Sequence, residues 1–381
     1  MRKELLIGLV VVFAIACFLP AASQAKDNIF VGILGPMTGP NVDIGCTMRD
    51  GAILAMEEIN AKGGINGKKF TWTIVDDEAS PAKSVNGAKK LIFKDKVDFI
   101  IGPANSGCAL AVGEVTVPNK IVNIVPGQNA NLTAPDRDYV FRCSLTDKEI
   151  AIKMMEFLGD EFKKVAVIHD TTGYGEHWYK TLMALLKGRG VQVVADESFE
   201  VNIFDLTPHA TRIAQSGAEI LVFLGVGGDV PTLAKAERRI GLKIPHLGTN
   251  GFGCQTVIDL GAKDVEGYIF PDTVDMNKKA WQMFRDKYRQ RFNIPVVFTQ
   301  HPPSQAYDAV YMLSQALIKT NGEAGEALKN AIEGGVAVDG VTCKVGTGGM
   351  SWRAGKHDAM GSDQLAMIEI KNARFVSYES K

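Results

Sequence analysis

The sequence predicts an α/β protein built from two doubly wound parallel-sheet lobes joined by a three-strand hinge. Three observations carry this expectation. Short β-rich runs alternate with helical patterns of 10–15 residues, which is the signature of parallel strands with helices on both faces. The alternation runs once from Asn28, stops near "DYVFRCSL", and then restarts. A chain of 381 residues is also too long for one small core.

In the first series, "NIFVGIL" is a strand and leads to a helix near 45–62, where Met48, Ala52, Ala55, Met56 and Ile59 share one face. Gly63-Gly64 stops that helix. "KFTWTIV", a helix near 81–95, "VDFII", a helix beginning at Ser106 and "KIVNIV" complete the set. In the second series Thr146 and Glu149 are spaced as a capping box for a helix near 147–160. "KKVAVIHD", a helix from about Tyr174, "VQVVADESF", a helix at 207–216, "EILVFLG", a helix at 230–241 and "HLGTNG" follow. After "GYIFPDTV", helices at 278–292, 302–320 and 324–333 are expected to return to the first lobe, and the β-like "LAMIEIKNARFVSYE" ends the chain.

Composition narrows the function classes. With 42 basic and 43 acidic residues and no basic block, nucleic acid and anionic membrane surfaces are poor partners. Arg2 and Lys3, the apolar stretch Leu5–Leu19 and "AASQA" before Lys26 read as a cleaved export signal over residues 1–25. A lipoprotein signal ending at Cys17 is the weaker alternative, because apolar sequence continues past that cysteine. The remaining cysteines, Cys46, Cys108, Cys143, Cys254 and Cys343, are odd in number, lack C-x-x-C spacing and leave any pairing open. No metal-ligand spacing accompanies them, and a structural zinc site is not expected.

Polar or Gly-rich turns follow the expected strands at 35–45, 102–107, 126–133, 170–176, 225–229 and 248–253. In open parallel sheets ligands bind beyond the strand carboxyl ends, so six such turns at one end of successive strands point to a binding cleft. The unpaired N–H groups at the helix start of Ser106 suit an anion. No G-x-x-x-x-G-K-[ST] is present, and "GVGGDV" lacks the last glycine of G-x-G-x-x-G, so nucleotide cofactors are not expected. Ser106 is not in G-x-S-x-G and Cys108 has no histidine motif near it, so a catalytic nucleophile is not expected. His169 at a strand end and Trp178 on a helix read as structural. A secreted α/β enzyme is the weaker reading for want of a nucleophile–base pair or metal set. A receptor sensor domain would need a membrane span, and no stretch after the N-terminal one is long enough.

The ordered set "GILGPMTGP", "GAILAMEEINAKGGINGKKF", "VDDEASPAKSVNGAKKLI", "FIIGPANSG", "IVPGQNANLT", "FRCSLTD", "VAVIHDTTGYGE" and "AYDAVYMLSQAL" resembles the type I periplasmic solute-binding proteins of the leucine/isoleucine/valine-binding class, which serve ABC importers. The resemblance implies a first lobe of residues 26–144 plus 276–347 and a second of 145–275 plus 348–381, crossing near 143–146, 274–277 and 345–352. It implies a ligand carboxylate on Ser106, with Asn105 and Gly107 beside it at the helix start. Asn129 takes the position of a hydroxyl donor, and the Gly127 backbone would accept from an α-ammonium. Tyr174 would close over the ligand from the second lobe. The chain departs from the pattern where family members carry an acid in a G-x-E-G turn, because Asn250 stands there. Asp43, Asp170 or Asp229 could substitute for it. Aromatic site positions fall on Ile44 and Val226, and the cysteine pair of some relatives falls on Ala79 and Asn105. The implied ligand is a branched-chain or other hydrophobic amino acid, with an aromatic or other organic acid as the alternative. The implied partner is a membrane permease, the state monomeric, and the place the periplasm.

Overall fold

A computed structural model describes residues 27–39, 41–225, 227–294 and 301–379. The first series runs β1 (Asn28–Gly35), α1 (Val42–Ala61), β2 (Lys69–Asp76), α2 (Pro81–Lys89), β3 (Phe99–Ile101), α3 (Ser106–Thr116), β4 (Val122–Val125) and β5 (Val140–Arg142). The helix expected at 81–95 is α-helical only to Lys89, and Lys90–Asp95 continue it as a π-helical turn. Ser80 caps α2, accepting from the Lys83 N–H, with Pro81 at the first helical position where no N–H is needed. The five strands form one parallel sheet in the order β2-β1-β3-β4-β5.

The second series runs α4 (Asp147–Leu158), β6 (Lys164–Asp170), α5 (Gly173–Gly188), β7 (Gln192–Phe199), α6 (Thr207–Gln215), β8 (Ile220–Leu224), α7 (Val230–Ile240), β9 (His246–Gly248), α8 (Gln255–Gly261) and β10 (Ile269–Asp272). Then come α9 (Lys279–Phe292), α10 (His301–Lys319), α11 (Glu326–Glu333), β11 (Val336–Val338), β12 (Met350–Trp352), β13 (Ala366–Lys371) and β14 (Arg374–Ser377). The second sheet has the order β14-β13-β10-β9-β8-β6-β7. Its β6–β10 part is parallel as expected, but β13 runs antiparallel to β10 and β14 antiparallel to β13. A two-residue turn joins the last two strands, with Asn372 and Ala373 at φ 51° and 55°. Such a turn matches strand twist and needs no crossover helix, which is why an antiparallel edge closes this sheet.

Two further expectations are corrected. Thr146 Oγ1 accepts from the Glu149 N–H at 3.2 Å, but the Glu149 carboxylate accepts from the Ser362 N–H at 2.9 Å instead of closing the capping box. The segment expected as the third crossing, 345–352, instead holds β12, which pairs with β11. There Trp352 donates from Nε1 to the Arg142 carbonyl at 2.8 Å and packs on Phe141, so the chain stays on the first lobe through β12. As expected, α10 returns to the first lobe, where it packs on α1.

In each sheet the strand order reverses direction once, between β1 and β3 and between β6 and β8. Loops diverge at such a switch point and leave a crevice beyond the strand carboxyl ends. All six polar turns start there, directly after β1, β3, β4, β6, β8 and β9. Several contacts link the ends of the two sheets. The Asp147 N–H donates to the Gln128 carbonyl at 3.1 Å, and Asn250 Nδ2 lies 3.4 Å from Nε2 of His301, the first residue of α10.

Candidate functional site

On the first lobe the site is built around α3. Gly102 turns the chain after β3 at φ 94°, and a side chain there would meet the Leu34 carbonyl at 2.0 Å, so glycine is required. Asn105 precedes the helix in an extended conformation without a side-chain cap bond, and its Oδ1 is buried without a partner. The first-turn N–H groups of α3 therefore lack a side-chain cap from Asn105. Ser106 Oγ accepts from the N–H groups of both Gln128 and Asn129, each at 3.2 Å. A serine hydroxyl has two acceptor positions and one proton. With both acceptor positions filled by the backbone, that proton is left to donate outward, beside the positive end of a helix. Next to it Gly107 is exposed, and a Cβ added there would meet nothing within 4 Å.

The loop after β4 is held by a residue that the sequence reading did not single out. Arg142, fully buried at the end of β5, donates from Nη1 to the Gly127 carbonyl at 2.5 Å and from Nη2 to the Asn129 carbonyl at 2.9 Å. It also reaches Thr133 Oγ1 at 3.2 Å and pairs with Asp358 at 2.7 Å. Ser144 Oγ donates its one proton to the neighbouring Pro126 carbonyl at 2.9 Å and lies 3.5 Å from the Gly127 carbonyl. Arg142 thus fills one acceptor position of the Gly127 carbonyl and leaves the other open to a further donor. Asn129 Oδ1 accepts from the Asn131 N–H at 2.9 Å, which orients the side chain and leaves its Nδ2 to donate. Ile44 lies half-buried in the first turn of α1 after the β1 turn, while Val226 lies outside the described residues.

On the second lobe three strand-end turns are tied together. Thr172 caps α5, accepting from the Tyr174 and Gly175 N–H groups, and is itself held by Asp170 Oδ1. Gly175 is required here, since a Cβ would meet the Asp170 carbonyl at 2.1 Å. Tyr174, half-buried and edge-on to Trp178, donates from its hydroxyl to Thr249 Oγ1 at 3.2 Å, and Thr249 donates to the Gly225 carbonyl at 3.2 Å. Burial pushes the Tyr174 phenol well above its ordinary range, the Thr249 hydrogen bond opposing it, so the ring stays a neutral phenol. Trp178 is core, and His169 stacks on Tyr179 with Nδ1 3.1 Å from the Asp170 carbonyl, so the structural readings of both hold.

At Asn250, only 2% exposed, Oδ1 is buried without a partner. Of the acids considered as substitutes, Asp43 is exposed and Asp229 accepts from the Asn202 N–H at 3.0 Å. Asp170 is fully buried with Oδ2 unpartnered. Beside Asn250 instead stand His301 and, 3.5 Å from its Nδ1, the fully buried Asp272 Oδ2. Asp272 ends β10, and that strand-end position was the one sequence signal available for it. His301 is brought in by the packing of α10, which no local pattern marks. Cys46, Cys108, Cys143, Cys254 and Cys343 are all unpaired. Among the described residues no helix is long and apolar enough to cross a membrane.

Over most of its length the chain is similar to known proteins. The family model described as "Periplasmic binding protein" matches residues 28–374. The Leu/Ile/Val-binding protein homolog 1 of Brucella abortus is 30% identical over 324 residues, covering 83% of this chain and 84% of that protein. A type 1 periplasmic binding protein from Bordetella pertussis superposes with a TM-score of 0.80 at 25% identity, covering 92% of this chain and 99% of that one. The branched-chain amino acid transporter substrate-binding protein LivJ from Streptococcus pneumoniae, solved with isoleucine, also gives a TM-score of 0.80, at 22% identity over 92% of this chain and 99% of that one, and attests the fold. The chain belongs to the type I periplasmic binding proteins of the leucine/isoleucine/valine-binding class, a family of substrate-binding proteins rather than enzymes.

Proposed function

We propose that this protein is the periplasmic component of an ABC importer, exported by residues 1–25, and that it holds a branched-chain or other hydrophobic α-amino acid between its lobes. The observation that carries this is the Ser106 hydroxyl, whose two accepted N–H bonds leave only a donor beside the uncapped start of α3. That combination suits a carboxylate. In this reading Asn105, Gly107 and the Asn129 amide flank the carboxylate, Tyr174 closes from the second lobe, Asn250 faces the amino end, and Ile44 and Val226 line the apolar side chain. The Brucella abortus relative supports the ligand class by its name. A monomer handing the ligand to a membrane permease follows from the same reading, with lobe closure as a hinge motion.

A second reading, a carboxylic acid lacking the amine, is favoured by Asn250, a neutral amide where family members carry an acid. Thermal denaturation separates the two. At 100 times its Kd a ligand adds about 2.7 kcal/mol of stability. Leucine, isoleucine or valine raising the midpoint accordingly supports the first reading. Stabilisation by aromatic acids, with none by amino acids, replaces it with the second.

A further inference from the structure

We infer that Asp272 supplies, through His301 and Asn250, the negative charge for the ligand's α-ammonium; this rests on the amino-acid reading above. Asn250 Oδ1 is buried without a hydrogen-bond partner, its Nδ2 lies 3.4 Å from His301 Nε2, and His301 Nδ1 and Asp272 Oδ2 face each other at 3.5 Å with no other partner. Asn250 and Asp272 are 2% and 0% exposed, so none of their polar atoms is satisfied by bulk water. Buried polar groups are nearly always paired, and a buried carboxylate calls for a cationic partner. Among the described residues no lysine or arginine pairs with Asp272, whose Oδ1 accepts only from the Val274 N–H at 3.2 Å and Thr273 Oγ1 at 3.4 Å.

The directions of the three groups are mutually consistent. A carboxylate beside Nδ1 sets the imidazole tautomer, with the proton on Nδ1 facing Asp272 and Nε2 left as acceptor. Asn250 Nδ2 lies 3.4 Å from Nε2 and donates to it. The amide is thereby oriented with Oδ1 as its free end, an acceptor for a donor that the described residues do not provide. Glycine at 253 leaves room for the arrangement, since a Cβ there would come within 2.7 Å of Asp272 Oδ2. Asn250 and Asp272 stand at the ends of β9 and β10, whereas His301 opens α10, which packs on α1 of the first lobe. The seat is complete only when both lobes contribute, so holding the ammonium favours the closed form.

The test is calorimetric titration of the full chain with two matched pairs, leucine against 4-methylpentanoate and phenylalanine against 3-phenylpropanoate. Asp272→Asn should weaken the amino acid about ten- to thirtyfold, as Coulomb's law gives for a unit charge about 8–12 Å away at an effective dielectric of about 20. The deaminated acid should be unaffected. His301→Leu, at a partly exposed position, should lower the same amino-acid to deaminated-acid ratio, and it decides the matter if Asp272→Asn does not fold. Equal losses for both members of a pair, or no loss for the amino acid, overturn the relay and leave the proposed function standing. A wild-type protein that prefers the deaminated acids, or binds neither pair, overturns the amino-acid reading and the relay with it.

Discussion

Ser106→Ala removes one oxygen with three hydrogen bonds at stake. Two are accepted from the Gln128 and Asn129 N–H groups at 3.2 Å each, and the third is the donation to the ligand carboxylate. A hydrogen bond to a charged group contributes about 1.5–3 kcal/mol, so affinity should fall roughly ten- to hundredfold. The fold should survive. The same loop remains clamped through the Gly127 and Asn129 carbonyls by Arg142, and both Gln128 and Asn129 are only half-buried, so water can replace the lost acceptor. The stability cost is then about 1 kcal/mol. Calorimetry with leucine and leucinamide on wild type and variant isolates the contact. Leucinamide, having no carboxylate, should bind poorly to both and lose little from the substitution. If the folded variant binds leucine as tightly as wild type does, Ser106 leaves the site. If leucinamide loses as much as leucine, Ser106 shapes the loop and does not hold the carboxylate.

Tyr174→Ala should impair affinity and ligand-induced compaction together, because it removes both the aromatic cover and the tie to Thr249; X-ray scattering with and without leucine checks this, and wild-type compaction would return Tyr174 to a packing role. Arg142→Leu should cost about 3 kcal/mol, the low end for breaking a buried ion pair, because Asp358 is partly exposed and can be rehydrated. Urea midpoints measure that cost, and a loss below about 1 kcal/mol would show that Arg142 does not hold the β4 loop. Glu58 gives a pH-dependent term. Burial alone would raise its pKa, but hydrogen bonds from Lys287, Tyr307 and Tyr311 outweigh it and hold the carboxyl below its usual range. Its contribution is therefore complete above the ordinary glutamate pKa of about 4.3 and is lost as pH falls through the lower folded value. The stability gap between wild type and Glu58→Gln should shrink in acid; a gap that is constant from about pH 6 to about pH 3 would refute this account.

Sequence by itself determined whatever depends on how each segment buries its own face. The alternation of β-rich runs with helical patterns fixed two sheets, and burial of both sheet faces made their strands read as nearly continuous apolar runs. The same logic put six polar turns at strand carboxyl ends and Ser106 at a helix start, since loops there cannot be apolar and the helix must begin after the turn. Tertiary structure decided what depends on which loops packing brings together. No local pattern shows that Arg142, 15 residues on, takes one acceptor position of the Gly127 carbonyl. Glu149 sits at capping-box spacing, yet its carboxylate answers Ser362, 213 residues away, which has an N–H to satisfy. Asn250 alone reads as the loss of an acid, and only the meeting of β9, β10 and α10 shows Asp272 and His301 behind it. Periodicity records burial, a property each residue carries with its own element. Hydrogen-bond partnership is short-ranged and directional, so it is written only where distant segments come within about 3 Å of each other.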